Sequence, residues 1–218
     1  RSNTTEEITV MHLVGNEVKE NITITNIDKT APVVNKIEYT ETNPTNKNVT
    51  VEIEVSEEIK LPENWSYKSN NQKNIIQKTY TENGQEEVEI EDLAGNKASE
   101  KAQVKVSNID RVAPKVVDVR YSETKATNKD VTVEIQLDEV GQEQNGWTYL
   151  STPGMPEGTI WVDNYTLTKT FSKNTEEEVT IKDLAGNEVK QQIRIANIDK
   201  VGPKLTTTYS LQTESEMK

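Results

Sequence analysis

Apolar and polar residues alternate along most of this chain, the period-two spacing of strands with one face in a core and one in water. The run is cleanest at Val49, Val51, Ile53 and Val55, which alternate with Thr50, Glu52 and Glu54. Val131, Val133, Ile135 and Leu137 restate it 82 positions on (131 minus 49). Ile8 and Val10, then Ile22 and Ile24, flank Gly15-Asn16, and Val88, Ile90, Val104 and Val106 flank Gly95-Asn96. Gly-Asn between two such runs predicts the tight turn of a hairpin, because both residues tolerate positive φ. Ile37 and Tyr39 predict a strand before the turn at Asn43-Pro44, and Trp65, Tyr67, Ile76 and Tyr80 supply further strand positions. No helical period competes, so the chain is predicted to be all-β and antiparallel.

One phrase recurs. Leu93-Ala94-Gly95-Asn96 leads through Asn108-Ile109-Asp110 to Pro114, and Leu184-Ala185-Gly186-Asn187 through Asn197-Ile198-Asp199 to Pro203. A variant, Leu13-Val14-Gly15-Asn16, leads through Asn26-Ile27-Asp28 to Pro32. Recurrence of this kind marks tandem modules. It predicts a hairpin closing a preceding repeat at 1–31, complete repeats at 32–113 and 114–203, and the first strand of a following repeat at 204–218. Arg1 then falls inside a repeat, and the chain reads as a piece of a longer one. Trp147 and Tyr149 answer Trp65 and Tyr67 at an offset of 82, but Phe171 answers Tyr80 at 91. The difference places about nine extra residues between Tyr149 and Leu167, and Ser151 to Gly158 there has the composition of a loop. Roughly seven short strands per repeat predict a β-sandwich, and two in line a rod. An isolated hairpin is marginal in water, so residues 1–31 are expected to pack on the first domain, another chain or a neighbouring repeat. Strand addition with residues 204–218 is one route.

The 25 basic and 37 acidic residues give a formal charge of −12, which argues against nucleic acid or anionic membrane as partners and leaves divalent cations as ligands. Cysteine is absent, so thiol catalysis and cysteine zinc sites are excluded. With His12 as the one histidine, serine-triad and zinc-hydrolase chemistry lack their bases, and no carboxylate pair stands out for glycoside hydrolysis. The chain is expected to be no enzyme. No apolar run approaches membrane-spanning length.

Val88-x-Ile90-x-Asp92-Leu93-Ala94-Gly95-Asn96, Asn108-Ile109-Asp110-Arg111-x-Ala113-Pro114 and Thr127-Asn128-Lys129-Asp130-Val131-Thr132-Val133-Glu134-Ile135 resemble the bacterial Ig-like repeats of Gram-positive surface proteins. The resemblance covers both full repeats and the opening hairpin. It implies tandem immunoglobulin-like antiparallel β-sandwiches, extracellular and at the cell wall, serving as a structural stalk or an adhesive segment. Neighbouring Ig-like repeats, and a glycan or host surface ligand, are the partners it implies. Some surface modules of this kind carry a lysine–asparagine isopeptide bond; Lys36 and Lys115 are available, but the sequence singles out no pair.

Trp65 and Trp147, at matching positions, are read as core residues. Trp161 has no counterpart in the first repeat, and Asp163, Asn164 and Tyr165 follow it. A ring for the apolar face of a sugar, with amide and carboxylate for its hydroxyls, would make a carbohydrate- or host-ligand-binding module of this insertion, or an accessory module of a secreted enzyme. Asp28, Asp110 and Asp199 stand before the prolines. Tandem adhesin domains gather calcium at such junctions, and Ca2+ is the candidate cofactor. An Asx turn accounts for one aspartate per copy more simply. Asp92 and Asp183 precede the Leu-Ala-Gly-Asn turn, but His12 holds that place in the first copy, which argues against a fixed role for the carboxylate.

Overall fold

The computed structural model describes residues 2–153 and 160–209, and the chain divides into two compact units, residues 1–111 and 112–218. Unit 1 opens with a hairpin of β1 (Thr4–Met11) and β2 (Glu17–Ile24). It continues with β3 (Val34–Tyr39), β4 (Val49–Val55), β5 (Ser66–Ser69), β6 (Gln72–Tyr80), β7 (Gly84–Val88) and β8 (Ala102–Val106). Strands β3, β4, β6 and β5 form a four-stranded antiparallel sheet in that order, and β7 pairs with β8.

Unit 2 repeats the plan with β9 (Val116–Tyr121), β10 (Val131–Leu137), β11 (Thr148–Pro153), β12 (Ile160–Phe171), β13 (Thr175–Lys182) and β14 (Glu188–Ile195). Its sheet runs β9-β10-β12-β11, with β13–β14 as the separate hairpin. Each repeat therefore has six strands among the described residues, one fewer than expected. The segment after β4 carries the bridge Ile59 to Asp92, and that after β10 the bridges Gly141 to Asp183 and Gln144 to Trp147, each too short for a strand.

Alternation decides the packing. Every second residue of β4 (Val49, Val51, Ile53, Val55) is buried, with the residues between them half-buried. One core joins these to Ile76 of β6 and to Val88, Ala102, Val104 and Val106 of the β7–β8 hairpin. Unit 2 assembles Val131, Val133, Ile135, Leu137, Leu167, Val179, Ile181, Ile193 and Ile195 in the same way. Burying each such valine, isoleucine or leucine contributes about 1.5–3 kcal/mol.

The predicted tryptophans are inside: Trp65 and Trp147 are buried, each preceded by a residue at positive φ, Asn64 (63°) and Gly146 (81°). The hairpin glycines Gly15, Gly95 and Gly186 lie at φ 89°, 96° and 91°, which only glycine adopts without strain. The asparagine after each glycine is not at positive φ; Asn96 and Asn187 serve their turns through their side chains. The predicted first strand at 204–218 is not seen over 204–209, and its remainder lies outside the described residues. A strand needs a ladder partner, and β3 and β9 have theirs in β4 and β10.

Candidate functional site

The turn after β7 is closed by a carboxylate–amide clamp. Asp92 N–H donates to the Asn96 carbonyl, and Gly95 N–H to the Asp92 carbonyl. Asn96 then donates its backbone N–H to Asp92 Oδ1 at 2.8 Å and its Nδ2 to Oδ2 at 2.7 Å. Asp183 and Asn187 repeat both side-chain bonds at 2.8 Å. Both aspartates are buried. Burial opposes the charge of Asp92, but the bonds from Asn96, Gly95 and Ala94 outweigh it and hold the carboxyl below its ordinary range. His12 keeps the same two backbone bonds to Asn16 and Gly15, and its Nδ1 accepts from Val14 N–H at 3.4 Å. The aspartate does have a fixed place in both full repeats, and the exposed first hairpin does without it.

Around this clamp unit 1 collects carboxylates. Asp28, Glu57 and Asp92 each offer an oxygen within 4.8 Å of the others. Burial first, then the charges of Asp28 and Asp92, push the Glu57 carboxyl above its ordinary range. Three hard oxygen donors at this spacing suit a divalent cation such as calcium. In unit 2, Glu139 and Asp183 approach each other equally closely, 82 and 91 positions after Glu57 and Asp92. The glutamates escaped the sequence reading, though their shared offset of 82 was available as a signal. Asp28 and Asp199 also make the Asx turns expected of them: Asp28 Oδ1 accepts from Thr30 N–H and Asp199 Oδ1 from Val201 N–H, each at 2.9 Å.

The described part of the expected loop, Ser151 to Pro153, is strand rather than loop. Beyond a bulge after Tyr149, β11 and β12 pair Leu150 with Asp163, Ser151 with Val162, Thr152 with Trp161 and Pro153 with Ile160. Ile160, Trp161 and Val162 have the β-propensity that keeps such a ladder together. Gly154 to Gly158 lie outside the described residues. Trp161 is 66 % exposed, and Tyr165 is exposed as well. Asp163 is already engaged: Oδ1 accepts from Tyr165 N–H at 3.0 Å and Oδ2 from Thr166 Oγ1 at 2.7 Å, closing the bulge. The Asn164 carbonyl accepts from Gly141 N–H. Asp163, with Asp118, Arg120, Glu134, Gln136, Leu150 and Thr166, lines a polar hollow of about 160 Å³ that does not include Trp161. The four predicted residues thus lie on one strand, β12, with two exposed rings and a carboxylate engaged by Tyr165 N–H and the Thr166 hydroxyl.

A further constellation was missed. Lys78 Nζ bonds Glu86 at 2.8 and 2.9 Å and stands 6.0 and 5.2 Å from the ring centroids of Trp65 and Tyr80, whose hydroxyl also donates to Glu86. Lys169 repeats this with Glu177 at 2.9 Å, over Trp147 and Phe171. Burial opposes the Glu86 charge, but the bonds from Lys78 and Tyr80 prevail and lower its pKa. These groups tie the hairpin to the sheet and are consumed in doing so.

The sequence matches no protein-family model and no curated protein.

Proposed function

We propose that this chain is a non-catalytic structural stalk or adhesive segment of a bacterial cell-surface or secreted protein, built from Ig-like sandwich repeats. What supports this reading is the repetition itself. Core, buried tryptophan, lysine–glutamate tie and aspartate–asparagine clamp recur in both units. A module copied with its fastenings is what a spacer requires. Calcium held by Asp28, Glu57 and Asp92 would add to the stiffness of unit 1. The test is adhesion of cells displaying the segment against cells displaying a spacer of equal length. Loss of surface display or reach on its deletion supports the stalk, and unchanged reach refutes it.

A second reading rests on a feature that unit 1 lacks. The ribbon of β11 and β12 belongs to unit 2 alone and exposes Trp161 and Tyr165. Rings presented on a rigid ladder suit carbohydrate or another host-surface ligand. A glycan-binding screen with the Trp161→Ala variant as control decides between the two.

A further inference from the structure

The β1–β2 hairpin has the same register as β13–β14, pair for pair: Glu6 faces Ile22 as Glu177 faces Ile193, and Val10 faces Val18 as Ile181 faces Val189. Ile8, Val10, Ile22 and Ile24 stand where unit 2 has Val179, Ile181, Ile193 and Ile195, at a uniform offset of 171 positions (179 minus 8). Those four are at most 7 % exposed, whereas the hairpin's four are 40–62 % exposed.

The polar fastenings match as well. Asn3 Oδ1 accepts from Ile27 N–H at 2.9 Å, as Asn83 does from Ile109 and Asn174 from Ile198. Glu6, on the same face as Ile22, occupies the position of Glu86 and Glu177, which hold Lys78 and Lys169. Among the described residues Glu6 has no such cation. Asn108 Nδ2 bonds the carbonyls of Glu41 and Asn43, and Asn197 Nδ2 those of Glu123 and Lys125. Thr45 and Thr127 bridge the backbone beside those asparagines. At the third copy, Asn26 has no side-chain partner among the described residues. Residues Asn3, Asn26, Ile27 and Asp28 instead line an open hollow where the threonine loop sits in the full units.

We infer that β1–β2 is a docking surface for a four-stranded antiparallel sheet half of this same repeat. That partner carries a β-branched strand like Val49–Val55, a lysine for Glu6 and a threonine loop for Asn26 and Asp28. Charge and shape on the hairpin call for all three together. Neither sheet of this chain fills the place, since each has its apolar face covered by its own hairpin. A second intact copy offers no uncovered sheet for the same reason. The inference extends the repeat on which the functional reading rests, but a chain that bound neither calcium nor glycan would leave it standing.

The test adds a copy of residues 114–173 directly ahead of Asn3, preserving the connection that leads from β12 to Asn174. A second fusion uses residues 32–82. Amide hydrogen exchange at Ile8, Val10, Ile22 and Ile24 is expected to slow by roughly a hundredfold or more relative to the unfused chain, approaching that of Val179 and Ile181. Ile8→Asp with Ile22→Asp in the fusion should restore fast exchange in β1–β2 and leave β13–β14 unchanged. Hairpin amides that stay fast in both fusions overturn the proposal. So does a dimer of the unfused chain in sedimentation that the double variant abolishes, which would assign the face to a second copy.

Discussion

Ile59 of unit 1 is fully buried, and 82 positions on unit 2 has Gly141. The volume is recovered next door, where Val55 and Ile76 give way to Leu137 and Leu167; a Cβ on Gly141 would lie 2.6 Å from Leu137 Cδ1. The backbone carbonyl is needed in both, since Tyr67 donates to that of Ile59 and Tyr149 to that of Gly141. Ile59→Ala is therefore expected to cost unit 1 about 2–5 kcal/mol, with its tyrosine bond intact, as measured by denaturant melts. Asp92 makes a different residue-scale prediction. Its folded pKa is depressed, so its contribution is complete above the unfolded value near about pH 4 and is lost as pH falls through the lower folded one. Asp92→Asn should lower Tm by a few degrees at pH 7, and the gap to the unaltered protein should narrow in acid melts below pH ~4. An unchanged gap would show that the charge of the carboxylate is irrelevant to the clamp.

At the scale of the element, alternation was enough to place β4 and β10 and to separate core from solvent residues along them, because register on a half-buried strand leaves little choice. Gly-Asn likewise announced all three hairpin turns. The β11–β12 ribbon was illegible because Ser151, Pro153, Gly154 and Pro156 have loop chemistry, while the strand partners Ile160 and Val162 lie across the insertion. The lysine–glutamate tie was hidden for another reason: Lys78 and Glu86 lie eight residues apart in an acidic chain, where no local pattern distinguishes them. Only their joint recurrence at Lys169 and Glu177 could have revealed the pair. Carboxylate gathering around Asp92 depends on the Ile59–Asp92 bridge, a contact no periodicity encodes. The ribbon gives the prediction that belongs here. Trp161 is solvent-exposed, so Trp161→Ala should change stability by less than about 0.5 kcal/mol while removing any glycan binding found for the unaltered chain. Binding that survives the substitution would eliminate the ribbon as the site.

For the whole molecule the governing quantity is the excess of acid, a formal −12 over 218 residues, and unit 1 concentrates part of it at Asp28, Glu57 and Asp92. Without a cation the cluster opposes itself. Burial, followed by the charges of Asp28 and Asp92, raises the Glu57 pKa, so deprotonating it costs stability as pH climbs from the unfolded value through the raised folded one. A calcium ion would reverse that sign, since it binds the deprotonated cluster and stabilises the native state by RT ln(1 + [L]/Kd). Melts in chelator and in calcium at matched ionic strength should therefore coincide at low pH and separate as pH rises to neutrality. At calcium a hundredfold over Kd, the gain is about 2.7 kcal/mol. Glu57→Gln should close most of the gap and, in chelator, leave unit 1 at least as stable as the unaltered chain, because it removes the most strained of the three charges. Heat would unfold two compact units, so a calcium effect confined to one of two transitions is the expected form. Curves that superpose at neutral pH, with and without calcium, would mean that the cluster is balanced by bulk counter-ions alone and that the clamp at Asp92 is its whole purpose.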